Sequence, residues 1–555
     1  MNHAHSTLRR TIPLAALVMF ALTLTMAPLP ASAQIFHVLF DADRTTGTNT
    51  QDFKFTQAPD GNLYLTAYQG GIVNGTCIFG CGQILAMTPA GSVTQMHAFD
   101  VAAEGSAPRG GLTLGSDGNL YGVLSGGGTN GLGSIFKMTT AGTVTILHAF
   151  SSAEGNALYP PIQATDGNFY GSTLNSGLNG VLYQLTPGGK FKILHTFNRN
   201  AEGDGGSPLV EGADGKLYTV AAEGALSGGT VLQFTTKGKV KVLHNFAFDR
   251  SEGYGIFTPV QAADGNFYGV CNQGGAQSSG TIWKISPKGS FKLLYSVNGT
   301  TDGQYPGNRL SLGTDGKLYG STQYQGVNGG QGTGGTLFQV TTGGQYTVLF
   351  SFTGGNSNSG NSPNTVLAAD TNGIFYGVTA YGGGPDSDGT FYFLDNGLAP
   401  FALLQITSGK VGTQIGILGQ GFTSSSVVKF GGTPTSTVTA TPNFITASVP
   451  FGALTGPVTV TTGSTALTSS LGFNVLPNIT GFSPPNGPVG TSVSITGSGL
   501  LQTTTVTFGG VKATAFTVNS DEQVTATVPT GAKTGPISIT TKGGKVTSKA
   551  KFTVN

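Results

Sequence analysis

The sequence predicts an all-β protein: a seven-bladed β-propeller closed by its N-terminal strand, followed by two immunoglobulin-like β-sandwich domains. Three observations lead to this prediction. A pentapeptide, Asp-Gly-x-[Leu/Phe]-Tyr, recurs through the first two-thirds of the chain, with its tyrosines 48 to 57 residues apart. Each repeat holds four strand-like segments, and four antiparallel strands per repeat of this length are typical of propellers. Residues 400–555 carry a second, shorter duplication with Gly-Pro turns.

The start of the chain resembles a secretory signal peptide over residues 1–33. Arg9 and Arg10 precede an apolar stretch, and Ala31-Ser32-Ala33 forms a small-residue cleavage site. No later segment approaches the roughly 20 apolar residues that span a membrane. We therefore expect an exported protein that is secreted, periplasmic or held at the cell surface, with no transmembrane segment after cleavage.

Composition and charge narrow the class of partner. Charged residues make up 9% of the chain and 90 of its 555 residues are Gly, a composition that suits many short strands joined by Gly-rich turns. Removing residues 1–33 removes two arginines and no acids, so the formal net charge falls from +2 to zero. Nucleic-acid binding needs clustered basic charge, and the sequence therefore argues against it.

The pentapeptide marks the turn between the first and second strands of each repeat. Its copies are Asp60–Tyr64, Asp117–Tyr121, Asp166–Tyr170, Asp214–Tyr218, Asp264–Tyr268, Asp315–Tyr319 and a degenerate Asn372–Tyr376. Asp-Gly between two β-rich runs is a strong hairpin signal, because the turn needs positive φ. We expect the Asp to act as a turn residue and the Tyr to pack in the interior.

Counting the later strands gives the blade number. The third-strand motif occurs seven times between Gln83–Met87 and Thr390–Leu394, but the fourth-strand motif follows a third strand only six times. Phe36–Phe40 matches Tyr346–Phe350, a fourth strand, position by position. The N-terminal strand is therefore predicted to complete the last blade, which removes an open sheet edge.

These ordered motifs resemble those of the bacterial GloVer-type choice-of-anchor tandem repeat family over residues 35–398. The resemblance implies an exported protein with a C-terminal anchor or accessory module, and it carries no known activity or catalytic residues. The tail motifs Val411-Gly412-Thr413 and Phe430-Gly431-Gly432 recur 78 residues later. They resemble IPT/TIG domains, which implies two such domains, at 399–475 and 476–555, as stalk or interaction modules.

A series of acids is the candidate ligand-binding site. Its members follow the fourth strands of successive repeats: Glu104, Glu154, Glu202, Glu252 and Asp302. One interpretation is that each acid caps its own inter-blade turn through backbone N–H groups. The other is that the acids surround one face and bind a cation or polar ligand. His97, His148, His195 and His244 share one repeat position that Tyr295 and Phe350 fill elsewhere, so we interpret them as structural.

Two further features concern cofactors and thiols. Asp386-Ser387-Asp388-Gly389 is similar to a fragment of a calcium loop but lacks the downstream Glu, so we expect no cofactor, and calcium is the alternative. Cys77 and Cys81 share one loop and are expected to form a disulfide, while Cys271 stands alone.

No motif in the sequence names a reaction. The function that the sequence favours is a non-catalytic binding or surface-interaction protein, with a propeller face that contacts an extracellular glycan or surface protein. The alternative is an extracellular polysaccharide lyase or glycoside hydrolase, because propellers host such sites and fold does not decide function. For that alternative, Asp204, Glu211 and Glu223 form the one modest cluster of acids unique to a single repeat.

Overall fold

The computed structural model describes residues 34–42, 54–174 and 179–555, apart from 223, 225, 227, 248, 331, 356, 357, 364, 385–387 and 436. The predicted signal peptide at 1–33 lies outside these residues. Almost all regular structure is β, as predicted; the described residues include one four-residue helix, α1 (Arg199–Glu202).

The described residues between 34 and 395 form seven antiparallel sheets, which we number 1 to 7 in chain order. The N-terminal strand is β1 (Ile35–Asp41). Sheet 1 consists of β2 (Thr56–Gln57), β3 (Leu63–Ala67), β4 (Gln83–Met87) and β5 (Val93–Ala98). Sheet 2 consists of β6 (Ser106–Leu114), β7 (Leu120–Gly126), β8 (Ser134–Met138) and β9 (Val144–Ala149). Sheet 3 consists of β10 (Ile162–Gln163), β11 (Phe169–Ser172), β12 (Val181–Leu185) and β13 (Phe191–Thr196).

The remaining repeats build sheets 4 to 7 in the same way. Sheet 4 consists of β14 (Val210–Glu211), β15 (Leu217–Ala221), β16 (Thr230–Phe234) and β17 (Val240–Asn245). Sheet 5 consists of β18 (Tyr254–Ile256), β19 (Val260–Gln261), β20 (Phe267–Gln273), β21 (Thr281–Ile285) and β22 (Phe291–Ser296). Sheet 6 consists of β23 (Gln304–Leu312), β24 (Leu318–Tyr324), β25 (Thr336–Val340) and β26 (Tyr346–Ser351). Sheet 7 consists of β27 (Asn361–Pro363), β28 (Ala368–Ala369), β29 (Phe375–Tyr381), β30 (Thr390–Asp395) and the N-terminal strand β1.

The N-terminal strand lies where the strand count places it. β1 pairs antiparallel with β30, from Ile35 opposite Asp395 to Asp41 opposite Thr390. The ring of Phe36 stacks on Phe350 of the preceding sheet at 3.9 Å between centroids. The first and last segments of the repeat region therefore share one sheet.

Hydrophobic clusters join each sheet to the next. Between sheets 1 and 2, for example, the buried side chains of Tyr64 and Phe136 belong to one cluster. Equivalent clusters join the later pairs in order. A further cluster joins sheet 7 to sheet 1 and includes Leu65 and Val378. Each sheet therefore packs face to face against both neighbours, which explains why the strand interiors read as continuous apolar runs.

The tail forms two units with separate cores. The first tail domain contains β31 (Leu403–Leu404), β32 (Ser408–Gly409), β33 (Gln414–Leu418), β34 (Val427–Phe430), β35 (Thr433–Thr435), β36 (Thr437–Thr441), β37 (Phe444–Ser448), β38 (Val458–Thr462), β39 (Thr465–Thr468) and β40 (Asn474–Val475). The second contains β41 (Asn478–Ser483), β42 (Asn486–Gly487), β43 (Ser492–Ser498), β44 (Thr503–Phe508), β45 (Val511–Lys512), β46 (Phe516–Val518), β47 (Gln523–Thr527), β48 (Gly535–Thr541) and β49 (Gly544–Val554). The sheet order β31-β33-β37-β36 recurs as β41-β43-β47-β46, which matches the duplication in sequence.

Candidate functional site

The repeated Asp and Tyr of the pentapeptide are joined by a hydrogen bond. In sheet 1 the Tyr64 hydroxyl donates to the Asp60 carboxylate at 2.8 Å, while the backbone N–H of Asn62 donates to the same side chain. The other complete copies repeat the Tyr–Asp bond at 2.6 to 2.9 Å. Sequence reasoning assigned the Asp to the turn alone and missed the phenol. The constant spacing of four residues was the available signal.

Two opposing effects set the acidity of these groups, as Asp264 and Tyr268 illustrate. Burial alone would raise the pKa of the Asp264 carboxyl, but hydrogen bonds from Tyr268, Asn266 and Lys284 together lower it to about 2. Burial raises the pKa of the Tyr268 phenol, and the adjacent carboxylate raises it further. The pair is therefore a fixed carboxylate bound to a neutral phenol, which suits a structural tie rather than proton transfer.

The acid series lies beside the recurrent histidines. His97 Nε2 lies 3.0 Å from Glu104 Oε2, which also accepts the backbone N–H of Asp100 at 3.0 Å. Glu154 and Glu202 bind their histidines and turn N–H groups in the same way. Glu252 binds His244 at 2.9 Å.

Asp302 shows the same arrangement with a tyrosine in place of the histidine. Its carboxylate accepts from the Tyr295 hydroxyl at 2.7 Å and from the backbone N–H of Asn298 at 3.0 Å. Thus each acid ties the fourth strand of its sheet to the following turn. These contacts favour the turn-cap interpretation of the acids, and their role in ligand binding stays a prediction.

Of the three acids proposed for an enzyme, the two that the structure describes, Asp204 and Glu211, lie at opposite ends of sheet 4. Asp204 lies after α1 and pairs with Arg199 at 2.9 Å. Glu211 lies at the far end of the same sheet, next to the Asp-Gly turn, and accepts from the Thr165 N–H and hydroxyl. Glu223 and most of the calcium-loop fragment, Asp386 and Ser387, lie outside the described residues.

The two ends of the seven sheets differ in what covers them. We call the end that carries the Asp-Gly turns the turn face. The opposite end, with the loops between second and third strands and the connections between sheets, is the loop face. The first tail domain packs on the turn face through hydrogen bonds to the turns of sheets 1, 2, 3 and 7, made by Thr441, Asn443, Gln405, Ser408 and Gln420.

The loop face carries a cluster of tyrosines, which we call the tyrosine patch: Tyr305, Tyr324 and Tyr381. The rings of Tyr305 and Tyr324 meet edge to face at 6.0 Å, and Tyr381 is 53% exposed. Burial raises the pKa of the Tyr324 phenol, and the phenols of Tyr381 and Tyr305 raise it further, which reflects their proximity. Two residues, one from sheet 6 and one from sheet 7, thus flank Tyr324.

The backbone of Tyr305 is unusual for a side chain of this size. Its φ is +57°, and at the same register position in sheet 5 the chain has Gly255, with φ +67°. A left-handed backbone conformation costs a bulky residue on the order of 1–3 kcal/mol. The same positive φ recurs at the matching positions of sheets 2 and 7, at Ala107 (+59°) and Ser362 (+56°), so this conformation belongs to the repeat, and Tyr305 is the largest side chain that adopts it there.

Cationic, aromatic and apolar groups also lie toward the loop face; Arg250 and Tyr254 are exposed, whereas Arg109 and Tyr68 are partly buried. Arg109 lies over the ring of Tyr68 at 4.8 Å, and Arg250 over Tyr254 at 5.0 Å. The loop between β3 and β4 exposes four apolar side chains: Ile72, Val73, Ile78 and Phe79. Cys77 Sγ and Cys81 Sγ lie 2.20 Å apart within this loop, and Cys271 is a buried free cysteine. Such exposed apolar surface beside polar groups is typical of interaction sites.

An internal cavity runs between the sheets. Its narrower part, about 60 Å³, is lined by a residue within or beside the first strand of every sheet: Lys54, Gly110, Pro160, Pro208, Thr258, Arg309 and Val366. Its wider part, about 430 Å³, extends to the first tail domain and is lined there by Leu403–Thr407. Sequence reasoning did not find this cavity.

Two absences apply to the described part of the chain. It holds no group of three or more His, Cys, Asp or Glu side chains arranged to bind a metal ion. None of its helices is long and apolar enough to cross a membrane.

The fold and these surfaces define an all-β repeat protein with an immunoglobulin-like tail. The chain belongs to the Gloeobacter/Verrucomicrobia repeat family, whose model matches residues 23–220 and 205–433. An IPT/TIG domain matches residues 477–554. The resemblance drawn from the repeat motifs is thereby confirmed. No curated protein matches the chain.

Several solved structures are similar to this chain at low identity. The extracellular domain of a hybrid two-component system from B. thetaiotaomicron is 11% identical with a TM-score of 0.43; the match covers 93% of this chain and 56% of that one. A fungal alcohol oxidase in complex with copper is 12% identical with a TM-score of 0.44, covering 91% and 100%. The surface glycan-binding protein PbSGBP-B from Prevotella bryantii is 19% identical with a TM-score of 0.22, covering 26% and 38%. At these values the likenesses carry no argument about ligand or activity.

Proposed function

We propose that this protein is an exported binding protein whose loop face binds an extracellular glycan. The seven sheets form a closed seven-bladed propeller in this proposal, and the two tail domains, at 399–475 and 476–555, act as an IPT/TIG-type stalk. Two observations support the propeller. One cavity has a lining residue from every sheet, and a hydrophobic cluster joins sheet 7 to sheet 1.

The observation that carries the proposal is the position of the first tail domain on the turn face. Ser408 shares a hydrogen bond of 2.8 Å with Thr165, and Gln405 donates to the Gly115 carbonyl at 2.8 Å. A face that is packed against a neighbouring domain is closed to a large ligand. The loop face is the other end of the sheets, and variable loops on a rigid scaffold are where binding residues usually lie.

The chemistry of the loop face favours a glycan over a strongly charged partner. Tyrosine rings offer flat apolar area with a polar edge, at a small cost in side-chain entropy. Arg250, which is exposed and held over the ring of Tyr254, presents N–H donors that suit hydroxyl and carboxylate oxygens. A sugar ring has an apolar face bounded by hydroxyl groups, which complements both features.

The test is a glycan array probed with the mature full-length chain and with a variant that replaces the tyrosine patch by Ala at all three positions. We expect the variant to bind each glycan hit at least about tenfold more weakly, a loss of about 1.4 kcal/mol. The matched control is Phe451→Ala, which removes a 62% exposed ring from the tail and should leave binding unchanged.

Equal binding by the patch variant and the control would overturn the proposed site. The absence of any glycan hit with folded full-length chain would overturn the proposed ligand class. Product analysis of each bound glycan tests for lyase or hydrolase activity in the same experiment.

A further inference from the structure

Two basic residues occupy one repeat position beside the cavity. Lys54 and Arg309 each lie six residues before the Asp of their Asp-Gly turn. The other five sheets have an uncharged residue there: Gly111, Pro160, Pro208, Thr258 and Val366. Lys54 and Arg309 line both the narrow and the wide part of the cavity. The repeat is therefore broken by positive charge at two of seven equivalent places.

Gly111 of sheet 2 lies against Lys54 and leaves room for it because glycine has no side chain. Gly111 has φ +78°, and a Cβ added there would lie 2.9 Å from Lys54 Cβ and 2.8 Å from the Lys54 carbonyl oxygen. Only glycine avoids both the strain and the contact. The lysine position and the adjacent glycine thus fit together.

Neither basic group has an acidic partner among the described residues. Their side chains make no hydrogen bond and no salt bridge there, while Glu211, the one described acid that lines the wider part, already accepts two hydrogen bonds from Thr165. Burial lowers the pKa of Lys54 to about 8, with a further contribution from the charge of Arg309, and burial lowers that of Arg309 to about 10. Two like charges in one buried space are unfavourable without a counter-charge.

Apolar side chains form slightly more than half of the walls around these charges, and glutamines such as Gln163 and Gln261 lie among them. Near the charges lie Phe55, Ile162 and Val366, and the tail domain contributes Leu404 and Leu418. A volume of about 430 Å³ falls in the range of small-molecule pockets, which combine mainly apolar walls with a few polar groups that fix orientation.

We propose that this cavity binds a small organic anion, a carboxylate with an apolar body. The carboxylate oxygens accept hydrogen bonds from Lys54 Nζ and from the planar guanidinium of Arg309, a group whose donors match carboxylate geometry. The apolar body packs against the walls, which an inorganic anion cannot do. This site is separate from the loop face, so it does not depend on the glycan proposal.

Calorimetric titration of the mature full-length chain tests the inference, with hexanoate and benzoate as probes. Benzamide is the matched neutral compound, and inorganic sulfate is the anion without an apolar body. We expect at least one carboxylate to bind with one-to-one stoichiometry and at least about tenfold more tightly than benzamide or sulfate. Lys54→Met should weaken that binding about tenfold, whereas Lys292→Met, at an exposed strand position, should not change it.

The inference is overturned if neither carboxylate binds, if benzamide or sulfate binds as tightly, or if Lys54→Met binds like wild type. A second measurement needs no variant: acetylation of lysines by acetic anhydride, read by mass spectrometry. The bound carboxylate should protect Lys54 at least about fivefold and leave Lys292 unprotected, since only Lys54 lines the cavity. Equal labelling of Lys54 with and without the carboxylate would contradict the site.

Discussion

Asn443 Nδ2 donates to the carbonyl oxygen of Asp60 at 3.4 Å, and so joins the first tail domain to the first Asp-Gly turn. Thr441 Oγ1 donates to the carbonyl of Pro59 beside it. A Cβ added to Gly61 would lie 2.3 Å from Asn443 Nδ2. The turns therefore have a second role besides reversing the chain, because they also form the surface on which the tail packs.

The first prediction uses this close approach. Gly61→Ala places a Cβ against Asn443 at φ +86°, whereas Gly265→Ala meets no atom within 4 Å at φ +79°. Both changes should lower the free energy of unfolding by about 1–2 kcal/mol, the cost of a left-handed residue. Only Gly61→Ala should also speed limited proteolysis of the segment between sheet 7 and the tail. Identical proteolysis of the two variants would show that the Asp60–Asn443 contact does not hold the tail in place.

The second prediction concerns the N-terminal strand. A chain that starts near Thr48 leaves β30 with an unpaired edge, so it should melt well below the mature chain or aggregate. Phe36→Ala should lower the free energy of unfolding by about 2 kcal/mol, since it removes a half-buried ring stacked on Phe350. Ile35→Ala is the control, because Ile35 is 52% exposed. An unchanged melting temperature in the shortened chain would exclude closure by β1.

The third prediction separates the two interpretations of the acid series. Replacing Glu104, Glu154, Glu202 and Glu252 together by Gln weakens four charge-assisted hydrogen bonds, so the free energy of unfolding should fall by about 1 kcal/mol per site. Glycan affinity should stay the same if the acids are turn caps. Glu522→Gln, at an exposed tail position, is the control for stability. Weaker binding with an unchanged melting temperature would instead assign the acids to the ligand.

The fourth prediction concerns pH and Lys54. Its pKa is about 8 in the folded chain, against an ordinary lysine value of 10.5, so the charged form is less favourable when folded. The resulting cost is present below pH 8 and disappears as pH rises through 10.5. Lys54→Met should therefore exceed wild type in free energy of unfolding by about 3 kcal/mol at pH 7. The difference should shrink as the pH approaches 10.5.

Urea denaturation of both proteins at pH 7 and pH 10 measures this effect, with Lys292→Met as the control. Tyrosines also titrate as the pH approaches 10 and change the free energy of unfolding. Both proteins contain the same tyrosines, so the difference between variant and wild type at each pH removes that contribution. A difference that is the same at both pH values would show that the Lys54 ammonium is not destabilised in the cavity.

The sequence predicted the strands far better than the surfaces between them. The third-strand motifs coincide with strands such as β4 and β8 because alternating side chains and Gly turns are encoded locally. The hydrogen bond between Tyr64 and Asp60 was missed although the two residues are four apart. The Lys54–Arg309 pair was also missed, although aligning the repeats on their Asp would have shown both charges at one position.

Other features had no local signal. Packing of the tail on the turn face joins residues such as Asn443 and Asp60 that lie 383 apart in sequence. No motif marks either partner, and the contact depends on how whole domains dock. The tyrosine patch likewise combines Tyr324 and Tyr381 from different sheets, so its members are neighbours only in the assembled fold.

Hydrogen–deuterium exchange of the mature full-length chain, with and without a glycan identified on the array, tests most directly the claim that the loop face binds. The account predicts slower exchange in the loop-face segments after β24 and β29, next to Tyr324 and Tyr381. Exchange at the Asp-Gly turns and in both tail domains should stay the same. Protection confined to the turn face or the tail, with the loops unchanged, would contradict the account.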